Sequence, residues 1–151
     1  MKARKRVLCV ASGGGHWVQL LRLREAWASH EATYVSVQPE YAQEVAGARF
    51  HCIQDATRWD RLKLLWMVLQ LALIVLRVRP HVVITTGAAP GVAALKLGKW
   101  LGARTVWIDS IANVEQLSMS GSKVAGFADL WLTQWPQLAR PEGPRHEGAV
   151  L

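Results

Sequence analysis

Cysteine is scarce in this 151-residue sequence, with two in all, Cys9 and Cys52. Two thiols in apolar, strand-like surroundings read as small core residues in a reducing compartment and exclude a disulfide framework. No Cys-x-x-Cys or His-Glu-x-x-His spacing occurs, so no metal site is expected. Acidic residues are in the minority too. Eleven Asp and Glu stand against eighteen Lys and Arg, a formal net charge of +7. That balance favours anionic partners. The positive charges are spread over Lys2, Arg4, Lys5 and Arg6, over Arg58, Arg61 and Lys63, and over Arg77 and Arg79. With no dense basic run and no nucleic-acid motif, nucleic acid is not an expected partner. No apolar run reaches the roughly 20 residues that a membrane-spanning helix needs. The short apolar run behind the basic N-terminus leads straight into a glycine turn, so it reads as a first strand and not as a signal peptide. Charged residues make up 19% of the chain and hydrophobic ones 51%, which excludes disorder and suits one packed domain.

Two nucleotide motifs are also missing. There is no Gly-x-x-x-x-Gly-Lys-Ser/Thr, which excludes a P-loop enzyme. The glycine turn lacks the Gly-x-Gly-x-x-Gly spacing, and Val37-Gln38 offers no carboxylate for a ribose, which argues against a nucleotide-dependent oxidoreductase. What the chain does have is Val7-Leu8-Cys9-Val10, then Ala11-Ser12-Gly13-Gly14-Gly15-His16, then Leu20, Leu23 and Trp27 at helical spacing. That is strand, glycine turn, helix. Glycines let a ligand approach the backbone and tolerate positive φ. The helix that follows offers unpaired N–H groups and the positive end of its dipole. Ser12, Gly13, Gly14 and Gly15 therefore form a candidate phosphate or diphosphate site. The bland alternative is a tight connection with no ligand.

Further along, strands are expected at residues 31–38, 49–54, 81–86, 104–109 and 130–134, after a first at 6–11. Helices are expected at 16–29, 40–46, 60–78 and 91–100, with a short one ending near Phe127. Asp60 can cap the third helix and Pro80 stops it. Its stretch from Leu64 to Leu76 has one polar residue, Gln70. Such a helix is too apolar for an ordinary surface helix. It is either buried on two sides, by a partner for example, or lies in a membrane interface with basic residues at the headgroups. Trp66, Leu69 and Leu73 are its candidate membrane or partner contacts. The alternation of strands and helices gives an α/β fold, one Rossmann-like domain with a doubly wound parallel sheet over residues 1–138. Residues 139–151, rich in Pro and Gly, are expected to be a disordered tail. Doubly wound sheets bind ligands at the carboxyl ends of their strands near the switch point, here between the first and fourth strands. That edge would gather residues 12–16, 87–91, Asp109-Ser110 and 118–123 into one cleft.

Residues 108–121, Ile-Asp-Ser-Ile-Ala-Asn-Val-Glu-Gln-Leu-Ser-Met-Ser-Gly, continue through Ala128-Asp129-Leu130 to Gln134-Trp135-Pro136. This pattern resembles the acidic-Ser, Leu-Ser-x-Ser-Gly, Ala-Asp and Gln-Trp-Pro pattern of the acceptor-side subunits of split GT-B glycosyltransferases. These are the Alg-fourteen-like proteins of asparagine-linked glycosylation and the PssD-type proteins of bacterial exopolysaccharide synthesis. The Ser-Gly-Gly-x-His turn matches at residues 12–16 with one extra glycine, and Thr86-Gly87 with Pro90 fits the fourth-strand turn. The resemblance runs from Val7 to Leu138. It departs at Asn113, where the family often has Arg, and at Asp109, where Glu is common. Eukaryotic members begin with a membrane-spanning segment, which this sequence does not show, so attachment is expected through residues 64–76 or a partner.

The resemblance implies one half of a two-subunit UDP-sugar-dependent hexosyltransferase, inactive alone, at the cytoplasmic face of the membrane as a peripheral or monotopic protein. Its partner would be a small donor-binding glycosyltransferase subunit that carries the UDP-sugar. Its acceptor would be a sugar on a polyprenyl diphosphate, and no cofactor is implied. His16 is then a candidate general base, a diphosphate donor or a helix cap. Asp109 is a candidate acceptor ligand or base, with a helix or turn cap as the bland alternative. Gly87, Ser110, Ser118, Ser120 and Gly121 are candidate acceptor or diphosphate contacts. Trp135, with Gln134 and Pro136, is a candidate either for the subunit interface, as a membrane or partner contact, or for packing the end of the sixth strand. The competing functions are a non-catalytic membrane-recruiting scaffold and a nucleotide-binding oxidoreductase domain.

Overall fold

A computed structural model describes residues 3–57 and 59–150. Lys2 and Arg58 lie outside the described residues. Seven parallel strands make one sheet: β1 (Arg6–Ala11), β2 (Glu31–Ser36), β3 (Arg49–Cys52), β4 (Val82–Gly87), β5 (Arg104–Ile108), β6 (Leu130–Thr133) and β7 (Arg145–His146). Their order is β3-β2-β1-β4-β5-β6-β7, so the order reverses between β1 and β4, where the alternating pattern placed the switch point. β1 is apolar without alternation because both of its faces are covered. Leu8 and Val10 pack on one side, under α2 (Arg61–Val78), α3 (Ala89–Trp100) and α4 (Met119–Val124). Val7, Cys9 and Ala11 pack on the other, with Trp17 and Leu20 of α1 (Gly15–Arg22) and with Trp27. Burial pushes the Cys9 thiol up, as a small core residue requires. Cys52 differs from expectation. It is exposed, because β3 is the edge strand.

The first helix is shorter than its apolar spacing implies. It closes at Arg22, and Arg24–Trp27 tightens into a 3-10 turn. The tighter turn brings the Trp27 indole N–H onto the Tyr34 hydroxyl at 3.1 Å, under the core of that face. The short helix expected near residue 40 is likewise 3-10, over Pro39–Val45. α2 is bounded as expected. The Asp60 carboxylate accepts from the Lys63 N–H at 3.0 Å, and Arg79 ends the helix in the left-handed region before Pro80.

The stretch after Leu138 has more structure than its composition implied. β7 pairs with β6, Leu132 opposite Arg145 and Thr133 opposite His146. Beyond it the Val150 N–H donates to Gln134 Oε1 at 2.7 Å. The tail is held because the open edge of β6 and the buried Gln134 amide supply partners for its backbone.

Candidate functional site

The carboxyl ends of β1 and β4 carry the two glycine turns, which meet. Ser12 N–H donates to the Gly87 carbonyl at 2.8 Å. Gly14, at φ +69, caps α1 without any side-chain cap. The first N–H groups of α1 have no carbonyl one turn back to donate to, and the helix dipole adds positive potential. Ser12 and Gly13 are half-buried, and Gly14 and Gly15 are exposed. Tyr41, on the 3-10 turn after β2, reaches over the same turn, and its hydroxyl accepts from the Gly14 N–H at 3.0 Å. Its ring stacks on Trp17, with centroids 4.7 Å apart and planes 2° from parallel. Tyr41 escaped the sequence reading because nothing along the chain shows that the β2 to β3 connection folds over the first turn.

His16 is fixed from below by β4. The register of β4 against β1 shifts at its end, with Val10 opposite Thr85 and Ala11 opposite Gly87. This bulge re-aims Thr86 toward α1. The Thr86 hydroxyl then donates to the His16 carbonyl at 2.5 Å, and the Thr86 carbonyl lies 2.8 Å from His16 Nδ1. A carbonyl can only accept, so Nδ1 carries the proton in that contact. In the neutral ring the lone pair is then on Nε2, the tautomer that a general base uses. Gly87 makes room for this ring. A Cβ there would lie 2.8 Å from His16 Nδ1, and its φ of +118 suits glycine alone. Residues 12–15, His16 and Gly87 thus form one cluster.

Asp109 lies at the end of β5 but is 1% exposed. Its Oδ1 accepts from Trp107 Nε1 at 3.0 Å and from Ser118 Oγ at 2.5 Å. Its Oδ2 accepts from the Ser118 N–H at 3.0 Å and from Asn113 Nδ2 at 3.2 Å. Four donors saturate the carboxylate. Through these bonds it ties the two ends of the 110–118 loop together, which is a positioning role. Ser118 is also occupied. Its hydroxyl accepts from the Gly121 N–H at 2.8 Å and caps α4. Gly121 is present because a Cβ would sit 2.5 Å from Asp109 Oδ1. Ser110 is buried, and its hydroxyl accepts from Gln19 Nε2 and from the Ala112 N–H, both at 3.2 Å. Ser120 stands apart, in a groove between α2, α3 and α4.

The two clusters are joined by Gln19, which the sequence reading passed over, and by Gln134 and Trp135 of the Gln-Trp-Pro pattern. Gln19, buried on α1, accepts through Oε1 from the Ile111 N–H at 3.0 Å and from Gln134 Nε2 at 2.6 Å. Gln134 Nε2 also donates to the Asp109 carbonyl at 3.0 Å. The Trp135 indole N–H donates to the Ile111 carbonyl at 2.6 Å. Trp135, half-buried, therefore clamps the 110–118 loop. The signal for Gln19 was its position one turn past His16 on the helix face that turns inward.

Trp66, Leu69 and Leu73 do stand outward. α2 buries Met67, Leu71, Ile74, Val75 and Val78. Its other face exposes Leu62, Leu65, Trp66, Leu69, Leu73 and Leu76, each between 49% and 81% exposed. Isolated exposed leucines are ordinary, whereas a continuous stripe marks an interaction surface. Among the described residues, no helix is long and apolar enough to cross a membrane.

The fold and two relatives place this chain among known proteins. MurG of Acinetobacter baumannii superposes with a TM-score of 0.75 at 12% identity, covering 93% of this chain and 44% of that one. A UDP-N-acetylglucosamine 2-epimerase superposes at 0.70 and 9% identity, covering 89% and 43%. The match thus takes in less than half of each of those chains. The Eremothecium gossypii protein named UDP-N-acetylglucosamine transferase subunit ALG14 is 31% identical over 139 residues, 86% of this chain and 51% of its own length. The mouse protein of the same name is 27% identical, over 88% of this chain and 76% of its own length. The chain thus spans about half the length of the first of these relatives. The family described as "Oligosaccharide biosynthesis protein Alg14 like" matches residues 48–148, which hold β3 to β7 and the Asp109 loop. By its sequence, its fold and the pattern of that loop, the chain belongs to the Alg14-like family.

Proposed function

We propose that the chain is the acceptor-binding subunit of a two-part GT-B glycosyltransferase that moves N-acetylglucosamine from its UDP ester to a polyprenyl-diphosphate-linked sugar. The carrying observation is the join of the two glycine turns at the β1/β4 switch point, with His16 fixed beside them, in a chain of the Alg14-like family. The acceptor diphosphate sits on the N–H groups that open α1. His16 Nε2 takes the proton from the acceptor hydroxyl as that oxygen attacks the anomeric carbon, and UDP leaves with the bonding pair. The donor is held by a second, small Rossmann-like subunit, since a single such unit supplies only one side of the cleft. The apolar face of α2 rests on the membrane, with Arg61, Lys63 and Arg77 near the headgroups. The enzyme is inactive until the two subunits meet, and it works at the cytoplasmic face.

The test is capture of the tagged chain from membranes of its native host, followed by assay of UDP-N-acetylglucosamine transfer to lipid extract. A second small Rossmann-like subunit in an active complex is the expected result. In that complex His16→Ala lowers kcat by about a hundredfold or more, the range of a lost general base, with KM little changed. A raised KM alone would make His16 a diphosphate ligand. Full turnover would leave the chain a scaffold. An inert chain captured alone would overturn the reading.

A further inference from the structure

Two buried amides meet at the carboxyl edge of the sheet. Gln19, on α1, is 4% exposed, and Gln134, just past β6, is 3% exposed. A buried amide must be paired on both its oxygen and its nitrogen, and its net gain in stability is small. What it adds is direction. The Asp109 carbonyl can only accept, so Gln134 turns Nε2 toward it, at 3.0 Å. Gln134 Oε1 is then left for the Val150 N–H, at 2.7 Å. The same Nε2 gives its second proton to Gln19 Oε1 at 2.6 Å. The Ile111 N–H, which can only donate, meets that oxygen too, at 3.0 Å. Gln19 Nε2 is thereby turned to the Ser110 hydroxyl, at 3.2 Å. Flipping either amide would set a donor against a donor. The network therefore has one arrangement.

That arrangement bears on the helix that carries His16. α1 has eight residues and no side-chain cap at its start. Its Trp17 and Leu20 pack by apolar contacts, which are not directional. Thr86 orients the His16 ring from β4, but that bond does not fix how far His16 stands from the 110–118 loop. Gln19, three residues on, does so through Ile111 and Ser110. Ile111 is itself held twice, by Gln19 at its N–H and by the Trp135 indole at its carbonyl. We infer that Gln19 and Gln134 are a positioning pair for His16, which keeps α1 at a fixed distance from the 110–118 loop so that the base meets the acceptor hydroxyl in one geometry. The inference rests on the base role proposed above. An apolar pair of the same volume would fill the space and let α1 slide, and a misplacement of about 1 Å can cost a hundredfold in rate.

The experiment is a double-mutant cycle in the active two-subunit complex, with UDP-N-acetylglucosamine and lipid extract as substrates. Gln19→Met keeps the length and helix propensity of the side chain and removes the amide. It is expected to lower kcat about ten- to a hundredfold with KM for UDP-N-acetylglucosamine unchanged. Gln134→Met, at the other end of the pair, should act alike. On a His16→Ala background Gln19→Met should lower kcat no further, because its effect runs through His16. A purely structural loss would add instead. Additive losses, or full turnover in Gln19→Met, would overturn the inference and leave the base role standing. Full turnover in His16→Ala alone, or an inert wild-type complex, would overturn the base role and the pair with it. The unaltered chain answers even where a variant does not fold. The side-chain amide protons of Gln19 and Gln134 should exchange with deuterated water at least about a hundredfold more slowly than those of Gln43 and Gln116, which are exposed. Equal rates would overturn the inference.

Discussion

Replacing Asp109 with Asn tests whether that residue is an anchor or a base. The change keeps the shape of the side chain and removes one acceptor oxygen together with the charge. Whichever oxygen becomes the amide nitrogen then faces donors. On the Oδ1 side they are Trp107 Nε1 and Ser118 Oγ. The Trp107 indole N–H can only donate, so it has no way to adapt. On the Oδ2 side they are the Ser118 N–H and Asn113 Nδ2. In either orientation at least one buried donor is stranded, at a cost of about 1–3 kcal/mol. The bonds that survive lose their charge assistance, roughly half their strength. The sum is about 3 kcal/mol. For a domain of this size each kcal/mol shifts Tm by about 2–4 °C, so Asp109→Asn should lower Tm by about 6–12 °C. Differential scanning calorimetry measures the shift, and limited proteolysis should cut the 110–118 loop sooner. If Asp109 were a base open to substrate, the same variant would unfold at the wild-type temperature and lose turnover alone. That result would refute the anchoring argument.

Three further perturbations have definite outcomes. Gly87→Ala places a methyl 2.8 Å from His16 Nδ1 and forces a φ of +118 on a residue with a Cβ, so it should lose about 1–3 kcal/mol in urea unfolding and release the His16 ring, seen as a change in its imidazole nitrogen shifts. Asp129→Asn should lower stability near neutral pH and flatten its acid dependence. The Lys99 ammonium at 2.8 Å, helped by Thr105, holds the Asp129 carboxyl below the usual carboxylate range against its partial burial. A folded-state pKa depressed in this way contributes stability that is full above the ordinary carboxylate pKa and is lost as pH falls through the folded value. Wild type and variant should therefore converge in Tm below about pH 4; parallel curves down to pH 3 would contradict the assignment. Leu69→Glu should weaken co-flotation with anionic vesicles without lowering Tm, since its side chain is 49% exposed on the outer face of α2.

Much of this protein was legible along the chain. Hydrophobic runs unbroken by alternation marked β1 as a strand covered on both faces, and the alternation with helices fixed the parallel sheet and its switch point. The glycine turn, the Asp60 cap and the Pro80 stop are local signals, written in residues that neighbour one another, and each is where the sequence placed it. The two faces of α2 were foreshadowed by its excess of apolar residues. Roles that depend on contacts between distant segments were not legible. Whether Asp109 is a base or an anchor depends on Trp107, Asn113 and Ser118 converging on it. Whether Trp135 clamps the 110–118 loop depends on the Ile111 carbonyl, and whether residues 141–150 are held depends on the free edge of β6 and the Gln134 amide. The tautomer of His16 was decided by a strand 70 residues away. Composition and periodicity report on burial, which is an averaged property of a segment. A hydrogen bond is directional and acts over 3 Å, so its partners are chosen only when the sheet brings the ends of β1, β4, β5 and β6 to one edge.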